Sequence, residues 1–331
     1  MKRILTGDRP TGHLHIGHYV GSLSSRIEMQ DEYDTMVMIA DVQALTDNHD
    51  NPEKVRDSIL KLYRDYYAVG LDLTKVKVFI QSLIPEIAEL NVFFANLVSL
   101  KEVTKNPTVK TEIEDKGFGE RVPFGFVGYP VSQAADILFC KADVVPVGED
   151  QAPMLELTRK IAKRFNKVYG VDLFPEPEIK LGKVRRLPGT DGNSKMGKSL
   201  GNTINLNATT EELRQQVMGM YTDPNRVRAT DPGKVEGNPV FIYHDAFNTN
   251  VGEVEDLKTR YKAGKVGDVE VKQKLFAALE LFFEPIRERR SEVNKRTDQE
   301  LMSELKASTQ EVHEIAKETM QEVREAMKIA F

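Results

Sequence analysis

The chain has 331 residues, enough for about two domains with a sizeable core. Apolar residues make up 40% of it and charged residues 29%, as in an ordinary globular protein, and the net charge is −5. This composition argues against a generally basic, non-specific nucleic-acid binder, so any contact with RNA must come from a local patch.

The N-terminal residues and the cysteine content indicate the compartment. Met1-Lys2-Arg3 leads directly into a short apolar strand, and no long apolar stretch follows. The chain is therefore expected to have no signal peptide, no membrane span and a cytoplasmic location. The single cysteine, Cys140, excludes a disulfide framework and a four-cysteine metal site within one chain, and we interpret it as a buried apolar residue.

Residues 1–170 alternate short apolar runs with longer amphipathic stretches, which is typical of a parallel α/β sheet. The predicted strands are Arg3–Gly7, Thr35–Ala40, Val76–Gln81 and Val144–Gly148. The predicted helices between them are His15–Met29, Pro52–Val69, Ile84–Leu100, Pro130–Cys140 and Asp150–Asn166. Crossovers of this length favour a Rossmann-like, doubly wound parallel sheet with a ligand crevice beyond the carboxyl ends of its strands.

The strand signal fades after about residue 175, and the rest of the chain is predicted to be helical. The expected helices are Thr210–Met220, Val251–Ala263, Val269–Asn294 and Asp298–Ala330. The last one carries an apolar stripe made of Leu301, Leu305, Val312, Ile315, Met320, Val323 and Met327. We expect a Rossmann-like domain over residues 1–190 and an all-helical region over 191–331, whose last helix packs back on the first domain.

The first motif with chemical content is His15-Ile16-Gly17-His18, which follows a strand and a Pro-Thr-Gly turn. A helix beginning near His15 would direct backbone N–H groups and its positive end at one spot, which suits a phosphate. Gly17 would let a flat base or ribose approach the backbone, and both imidazoles can donate to phosphate oxygens. Three alternatives stay open: a metal site that adds His13, a helix start with incidental histidines, and a small nucleotidyltransferase of the HxGH type.

The second motif is Lys195-Met196-Gly197-Lys198-Ser199, in a loop rich in Gly, Asp and Asn. Its two lysines could close on the β- and γ-phosphates and stabilise the charge that builds as pyrophosphate leaves. Residues 192–199 also fit the P-loop pattern, but a P-loop follows a buried strand and opens a helix. Residues 185–191 are no central strand, and Leu200-Gly201-Asn202 would break a helix, so we favour a mobile lysine loop. Taken alone, the string would also fit a solvated charged loop.

The third group of residues is Tyr129, Gln133 and Asp136, spaced i, i+4 and i+7 on one helix face. With small alanines beside them, they could line a pocket for a flat ligand that carries one hydrogen-bond donor. A polar helix face without a ligand would explain the same spacing. Gly148-Glu149-Asp150-Gln151 follows a strand and opens a helix, and its carboxylates and N–H groups suit a ribose and an ammonium.

In this order, the histidine and lysine motifs resemble the HIGH and KMSKS signatures of class I aminoacyl-tRNA synthetases. Over nearly its whole length the chain resembles the bacterial-type tryptophanyl-tRNA synthetases, on the strings TGDRPTGHLHIGHYVGSL, YPVSQAADIL, DVVPVGEDQ and KMGKSLGN. The resemblance implies activation of L-tryptophan with ATP and its transfer to tRNA(Trp). It also implies Mg²⁺ held by the ATP phosphates rather than by a protein metal site, a homodimer, and anticodon recognition by the helical C-terminal region.

The resemblance assigns roles to individual residues. The catalytic residues would be His15, His18, Lys195 and Lys198. The residues that hold ATP would be Arg9, Pro10, Thr11, Gly17, His18, Gly148, Glu149, Asp150, Arg186, Lys195, Met196, Gly197, Lys198 and Ser199. Asp136 would accept the indole N–H, and the other residues around tryptophan would be Gly7, Tyr129, Gln133, Val145, Val147 and Gln151. Lys110 is a lesser candidate for contact with pyrophosphate.

Two alternative functions remain open beside activation of tryptophan for tRNA charging. Tyrosyl-tRNA synthetases use a similar helix face, but Leu5 stands where they present a tyrosine to the substrate hydroxyl. The second alternative is a synthetase-like tryptophan sensor. The intact histidine and lysine motifs argue against it, because a sensor could lose Lys195 and Lys198. The chain departs from the family at Gln133, where many members carry methionine, at Gln43, which replaces a common histidine, and at Gly197, which replaces a serine. The apolar segment Pro85–Leu100 is either a dimer interface or a buried helix.

Overall fold

The centre of the fold is a parallel sheet of five strands, in a computed structural model that describes residues 1–148, 151–181, 187–193, 196–197, 200–224, 226, 228 and 230–331. The strands are β1 (Arg3–Asp8), β2 (Asp34–Ile39), β3 (Lys77–Ile80), β4 (Val144–Val147) and β5 (Glu178–Leu181). Their order in the sheet is β3-β2-β1-β4-β5, and all the strand pairs are parallel. The order reverses between β1 and β4, so the crevice opens beyond the carboxyl ends of these two strands. The Rossmann-like prediction is confirmed.

The edge strand β5 lies in a region where no strand was predicted. Among the described residues it pairs with β4 alone, and its sequence Glu-Ile-Lys-Leu puts charged residues at alternate positions. Charged side chains are a common feature of edge strands, because they discourage pairing with another chain. They also dilute the apolar signal that identifies a strand in a sequence.

The predicted helix His15–Met29 consists of three consecutive helical segments. A short α-turn, α1 (Ile16–His18), leads into a π segment over Tyr19–Leu23 and then into α2 (Ser24–Met29). The remaining helices up to β5 are α3 (Asp41–Asn48), α4 (Pro52–Val69), α5 (Pro85–Ala95), α6 (Leu100–Thr104), α7 (Pro107–Asp115), α8 (Phe124–Leu138) and α9 (Ala152–Tyr169). π segments inside helices are frequent at functional sites, and this one supplies residues to the cavity described below.

Two of the predicted helices have different bounds in the structure. The predicted helix Ile84–Leu100 ends at Ala95, and a new helix begins at Leu100 because Ser99 and Glu102 form a capping box. The helix predicted from Pro130 begins at Phe124 instead, so that Pro130 lies inside α8. Pro130 is buried, and packing of this helix overrides the preference of proline for a first turn.

The C-terminal region contributes α10 (Thr210–Met218), α11 (Pro239–Phe247), α12 (Val251–Lys262), α13 (Asp268–Val293) and α14 (Asp298–Ala326). Helix α14 contacts β3, α4 and α5. Its Thr309 Oγ1 accepts a hydrogen bond of 3.2 Å from the backbone N–H of Ile80. Leu301 and Leu305 belong to the core on one face of the sheet, and Val312 and Met320 belong to the core on the other face. None of the helices in the described ranges combines the length and apolar character needed to cross a bilayer.

Candidate active site

A cavity of about 640 Å³ lies at the carboxyl ends of β1 and β4, where the strand order reverses. The seven residues that the resemblance assigns to the amino acid all line it: Gly7, Tyr129, Gln133, Asp136, Val145, Val147 and Gln151. Arg9 and Gly148, assigned to ATP, line it as well, together with Gly21 and Ser22 of the π segment. The fold thus brings together residues from β1, α8 and β4 that are far apart in sequence.

Asp136 is a buried carboxylate in the wall of this cavity, and it is only 2% exposed. Its Oδ1 accepts a hydrogen bond of 2.6 Å from Gln81 Nε2, and its Oδ2 accepts one of 3.2 Å from Gln43 Nε2. Burial raises the pKa of Asp136 to about 7, although both amide donors oppose the shift. The site therefore presents a hydrogen-bond acceptor to whatever ring occupies the cavity.

Tyr129 lies about two turns before Asp136 on the same face of α8, and it also lines the cavity. Its hydroxyl donates to Glu112 Oε2 at 2.7 Å, and its ring packs edge-on against Phe126. Burial and the Glu112 carboxylate both raise the pKa of Tyr129. The ring is thus held in place by a partner on α7, in the lining of the cavity.

Asp47 joins two cations at the rim of the cavity. Its Oδ2 lies 2.6 Å from Arg9 Nη1, and its Oδ1 lies 2.7 Å from Lys116 Nζ. Burial alone would raise the pKa of Asp47, but hydrogen bonds from Lys116 and Arg9 outweigh it and lower that pKa. Arg9 and Lys116 therefore flank the cavity as paired cations. Lys110, the lesser candidate on the same helix α7, is exposed and does not line the cavity.

The end of β1 is shaped by a close approach and by a buried ion pair. A Cβ on Gly7 would lie 2.5 Å from the carbonyl oxygen of Met38 on β2, so the neighbouring strand excludes a side chain here. Next to it, Arg26 Nη1 and the Tyr66 hydroxyl both bind Asp8 Oδ2, at 2.5 and 2.8 Å. These contacts fix the floor of the cavity beneath the Pro-Thr-Gly turn.

The histidine motif is held by backbone contacts. The N–H of His15 donates to Nδ1 of His18 at 3.1 Å, and the two rings lie 3.8 Å apart. Because Nδ1 of His18 accepts, the proton of the neutral ring is on Nε2, which makes Nε2 a donor. Pro10 and Thr11 form the preceding turn, in which the N–H of Thr11 donates to the carbonyl of Arg9 at 2.9 Å.

Gly17 is a contact point between the two motifs. A Cβ at this position would lie 2.8 Å from Met196 Sδ and 2.9 Å from the ring of His15. Met196 and Gly197 are described parts of the lysine loop, and Gly197 N–H donates to Asn202 Oδ1 at 2.9 Å. The loop thus reaches the histidine motif through the side chain of Met196, and glycine is the residue that leaves room for it.

Asn202 anchors the described part of the lysine loop. It is 2% exposed, its Nδ2 donates to Asp191 Oδ1 at 3.0 Å, and its carbonyl accepts from the N–H of Thr190 at 3.0 Å. Six of the predicted ATP or catalytic residues lie outside the described residues: Glu149, Asp150, Arg186, Lys195, Lys198 and Ser199. Residues 187–193 form no strand, and residues 240–243, farther downstream, belong to helix α11. The flanks therefore do not have the strand–loop–helix order of a P-loop.

His13 has a structural partner that disfavours the metal alternative. Its Nδ1 lies 3.2 Å from Asp65 Oδ1, and Asp65 Oδ2 accepts from the N–H of Leu14 at 2.7 Å. Arg290 of α13 also binds Asp65 Oδ1, at 2.5 Å. Within the described ranges no group of three His, Cys, Asp or Glu side chains is arranged to hold a metal ion. His13 ties the turn to helix α4 and to the C-terminal region.

Sequence reasoning missed several residues that build this site. These residues form hydrogen bonds or ion pairs with predicted residues or with one another, and they come from other elements of the fold: Gln81, Glu112, Asp47, Lys116 and Asp65. For Gln81 a signal existed, because it directly follows a strand whose carboxyl end faces the crevice. Gln43 was noted as a departure from the family, but its contact with Asp136 was not foreseen.

Comparison with known proteins places the chain among relatives of similar length. A family model described as "tRNA synthetases class I (W and Y)" matches residues 1–284. The tryptophan–tRNA ligase of Clostridium longisporum is 50% identical over 99% of this chain and 97% of its own length, and that of Streptococcus pneumoniae is 50% identical over 99% and 98%. The crystal structure of tryptophanyl-tRNA synthetase from Campylobacter jejuni complexed with ADP and tryptophan superposes with a TM-score of 0.85 at 29% identity, over 98% of this chain and 99% of that one.

Proposed function

Because this chain belongs to the tryptophanyl and tyrosyl family of class I tRNA synthetases, we propose that it is a tryptophan–tRNA ligase. It activates L-tryptophan with ATP to tryptophanyl-adenylate and then transfers the tryptophanyl group to tRNA(Trp). Relatives with this activity match the chain at 50% identity over nearly their whole length.

The observation that carries the choice of amino acid is the acceptor at Asp136. Apolar and aromatic side chains, among them Leu5, Val145 and Tyr129, line the same cavity as this buried carboxylate, and together they suit a flat apolar ring with one N–H donor. Indole has this combination, and phenylalanine would leave the carboxylate unpaired, at a cost that gives strong discrimination. Leu5 is 3% exposed and offers no polar atom to a phenolic hydroxyl, which favours tryptophan over tyrosine.

The residues assigned to ATP fit a triphosphate. Gly17 and the Nε2 donor of His18 belong to one turn, and Arg9 lies at the rim of the same cavity. Pro10 and Thr11 lie in the turn after β1, and Gly148 directly follows β4. Mg²⁺ carried by the phosphates would neutralise part of their charge. The proposal gives Glu149, Asp150 and Arg186 contacts with the nucleoside, and Lys195, Lys198 and Ser199 contacts with the phosphates.

The chemistry asks the protein for positioning and electrostatic stabilisation, without a covalent intermediate on the enzyme. The tryptophan carboxylate attacks the α-phosphorus in line, the bond to the β-phosphate bridging oxygen breaks, and pyrophosphate leaves with the electron pair. Donors from His15, His18, Lys195 and Lys198 stabilise the charge that develops on the phosphate oxygens. In the second step a ribose hydroxyl of the terminal adenosine of tRNA attacks the carbonyl carbon, and AMP leaves.

The partners and the location are also proposals. The helical region after residue 191 would bind the anticodon, and the protein would act in the cytoplasm as a homodimer. Support for a dimer comes from helix α5 and the segment after it, where Val92 is 59% exposed and Leu100 is 68% exposed beside buried Ile87 and Leu90. In a homodimer these two apolar side chains would be covered by the partner subunit.

Charging of tRNA tests the proposed function. We expect labelled tryptophan to be attached to a tRNA(Trp) transcript in the presence of ATP and Mg²⁺. Labelled tyrosine with a tRNA(Tyr) transcript is the matched control and should give no product. Adenylate formation without charging of tRNA(Trp) would instead indicate a tryptophan sensor, and charging of tRNA(Tyr) would indicate the neighbouring specificity.

A further inference from the structure

A buried amide stands behind the carboxylate of Asp136. Gln81 directly follows β3, in a short 3₁₀ turn over Gln81–Leu83, and is 3% exposed. Its Nε2 donates to Asp136 Oδ1 at 2.6 Å. Its Oε1 accepts from the backbone N–H of Gln43 at 3.1 Å, which fixes the orientation of the amide. Gln81 therefore can present only a donor to Asp136.

A second amide completes the contacts of the carboxylate. Gln43 Nε2 donates to Asp136 Oδ2 at 3.2 Å and to Ser132 Oγ at 3.0 Å, so both of its hydrogens are used. Each carboxylate oxygen of Asp136 thus has one amide donor from outside helix α8. An oxygen of a carboxylate can accept a second hydrogen bond, so the substrate N–H remains accommodated.

We propose that Gln81 is a positioning residue for amino-acid selection, whose amide orients Asp136 and favours its ionised form as the hydrogen-bond acceptor for the ring N–H of the substrate. The inference rests on the proposed function, because it takes tryptophan as the amino acid. Gln81 acts through Asp136 and is assigned no contact with the reacting atoms.

The physical reason is the protonation state of a buried acid. A carboxyl group in an apolar cavity favours its neutral form, and a neutral carboxyl carries its own hydrogen. Such a group would tolerate a phenyl ring better than a carboxylate does, because less unpaired charge is buried. The two amides favour the ionised form, in opposition to the burial that raises the pKa of Asp136 to about 7.

Among the residues that the structure describes, the other titratable groups around the cavity have partners of their own or face solvent. On β1 and α2, Asp8 pairs with Arg26, and at the rim Asp47 pairs with Arg9 and Lys116. On α7, Glu112 accepts from the Tyr129 hydroxyl of α8, and Asp115 is exposed to solvent. At the start of α3, Asp41 accepts from Ser82, and just after α8 the buried thiol of Cys140 donates to the carbonyl of Ile137. The contacts that favour the charged form of Asp136 are therefore the two amides.

The test replaces Gln81 with methionine, which keeps the volume and removes the donor, in the full-length enzyme. Pyrophosphate exchange is measured with tryptophan and with phenylalanine between about pH 6 and about pH 9. At neutral pH we expect the KM for tryptophan to rise about tenfold and the preference for tryptophan over phenylalanine to fall about tenfold. The KM for ATP and kcat should stay within about twofold, and the tryptophan defect should shrink toward high pH, where Asp136 ionises without help.

Two further variants separate positioning from general damage. In an Asp136→Asn background the Gln81→Met change should alter the KM for tryptophan by less than about twofold, because no titrating carboxyl remains. Gln43→Met, which removes the longer of the two hydrogen bonds, should act in the same direction and more weakly. Gln30→Met is the matched control, because Gln30 also uses both ends of its amide, on Gly70 and Asp72, but far from the cavity.

The inference is overturned by a Gln81→Met enzyme whose tryptophan KM and selectivity equal those of the wild type, or whose defect is the same at every pH. It is also overturned if the Gln81→Met effect persists in full in the Asp136→Asn background. If Gln81→Met does not fold, as judged by its melting temperature, the Gln43→Met pH profile decides. A wild-type enzyme that activates no tryptophan would refute the proposed function itself, before any variant is compared.

Discussion

The backbone N–H of Ile16 donates a hydrogen bond of 2.8 Å to the carbonyl oxygen of Ile204. The N–H of Leu206 returns one of 2.9 Å to the carbonyl of Leu14, and His15 and Asn205 form the bridge between them. The segment that follows the lysine loop is thus paired with the histidine motif. This pairing holds the segment after the lysine loop beside the proposed ATP site.

Gly17 tests the contact between the two motifs. In Gly17→Ala, the new Cβ would meet Met196 Sδ and the ring of His15, so one of them must move. We expect kcat for pyrophosphate exchange to fall about 10- to 100-fold, because small displacements of catalytic groups are costly. The melting temperature should change little, since the contacted atom is near the end of the flexible, only partly buried side chain of Met196.

The double variant Gly17→Ala with Met196→Ala distinguishes the two clashes. If Met196 is the group that matters, the shorter side chain should recover at least about a third of the lost kcat, because coupled sites are non-additive. Full additivity of the two changes would locate the damage at His15 instead. An unaltered kcat in Gly17→Ala would contradict the close packing of the motifs.

Arg290 tests the buried ion pair that ties the histidine motif to the C-terminal region. Asp65 has a fully buried side chain and Arg290 is 12% exposed, so Arg290→Met leaves a buried carboxylate with one partner fewer. We expect a loss of about 3–5 kcal/mol in the free energy of unfolding, measured by urea denaturation. Arg260→Met removes two more exposed pairs, with Asp256 and Glu270, and should cost less than about 1 kcal/mol. Equal losses in the two variants would show that burial does not increase the contribution of the Asp65–Arg290 pair to the free energy of unfolding.

Asp136 is the residue on which the proposed specificity depends. Asp136→Ala should raise the KM for tryptophan at least about 100-fold in pyrophosphate exchange and leave the KM for ATP within about twofold. The preference over phenylalanine, which polar recognition can bring to about 10⁴–10⁵, should collapse with it. Parallel losses for tryptophan and ATP would mean that Asp136 supports the structure and does not read the indole ring.

The pKa of Asp136 predicts how activity depends on pH. Tryptophan binding needs the ionised form, so kcat/KM for tryptophan should rise with pH up to about 7 and level off above it. The rising limb should be absent in Asp136→Asn, which has no titrating group at this position. A limb that persists in this variant would have to come from another residue.

The raised pKa of Asp136 also predicts whether this group increases or decreases the free energy of unfolding as pH rises. The pKa of Asp136 is higher in the folded protein than in the unfolded chain, so the folded state binds more protons between about pH 4 and about pH 7. Stability is therefore lost through this group as pH rises across that window. Asp136→Asn should gain stability relative to the wild type between pH 4 and pH 8 in urea denaturation. A relative loss over the same window would contradict the shift.

The parts of the fold that were predictable are those with a strong local signal. The four strands that were predicted are apolar runs, and α4 begins at a proline and ends before Gly70, so its predicted bounds Pro52–Val69 match the structure. The break between Ala95 and Leu100 was missed because apolar residues continue across it. Burial pattern alone does not reveal a capping box inside such a run.

The candidate site was predictable where a motif lies within one element. Tyr129, Gln133 and Asp136 share a helix face, so their spacing alone brings them together. The partners that tune them come from separate elements: Gln81 is 55 residues from Asp136, and Glu112 is 17 residues from Tyr129. Such residues come into contact through the pairing of strands and the packing of helices. The apolar periodicity of a single element does not predict these contacts.

The most direct test of the central claim is ATP–pyrophosphate exchange with each of the twenty amino acids, one at a time, using the full-length enzyme. The reaction requires only adenylate formation, so it reports the choice of amino acid without any contribution from tRNA. We predict exchange with tryptophan alone. Exchange with tyrosine, or no exchange with any amino acid, would contradict the account.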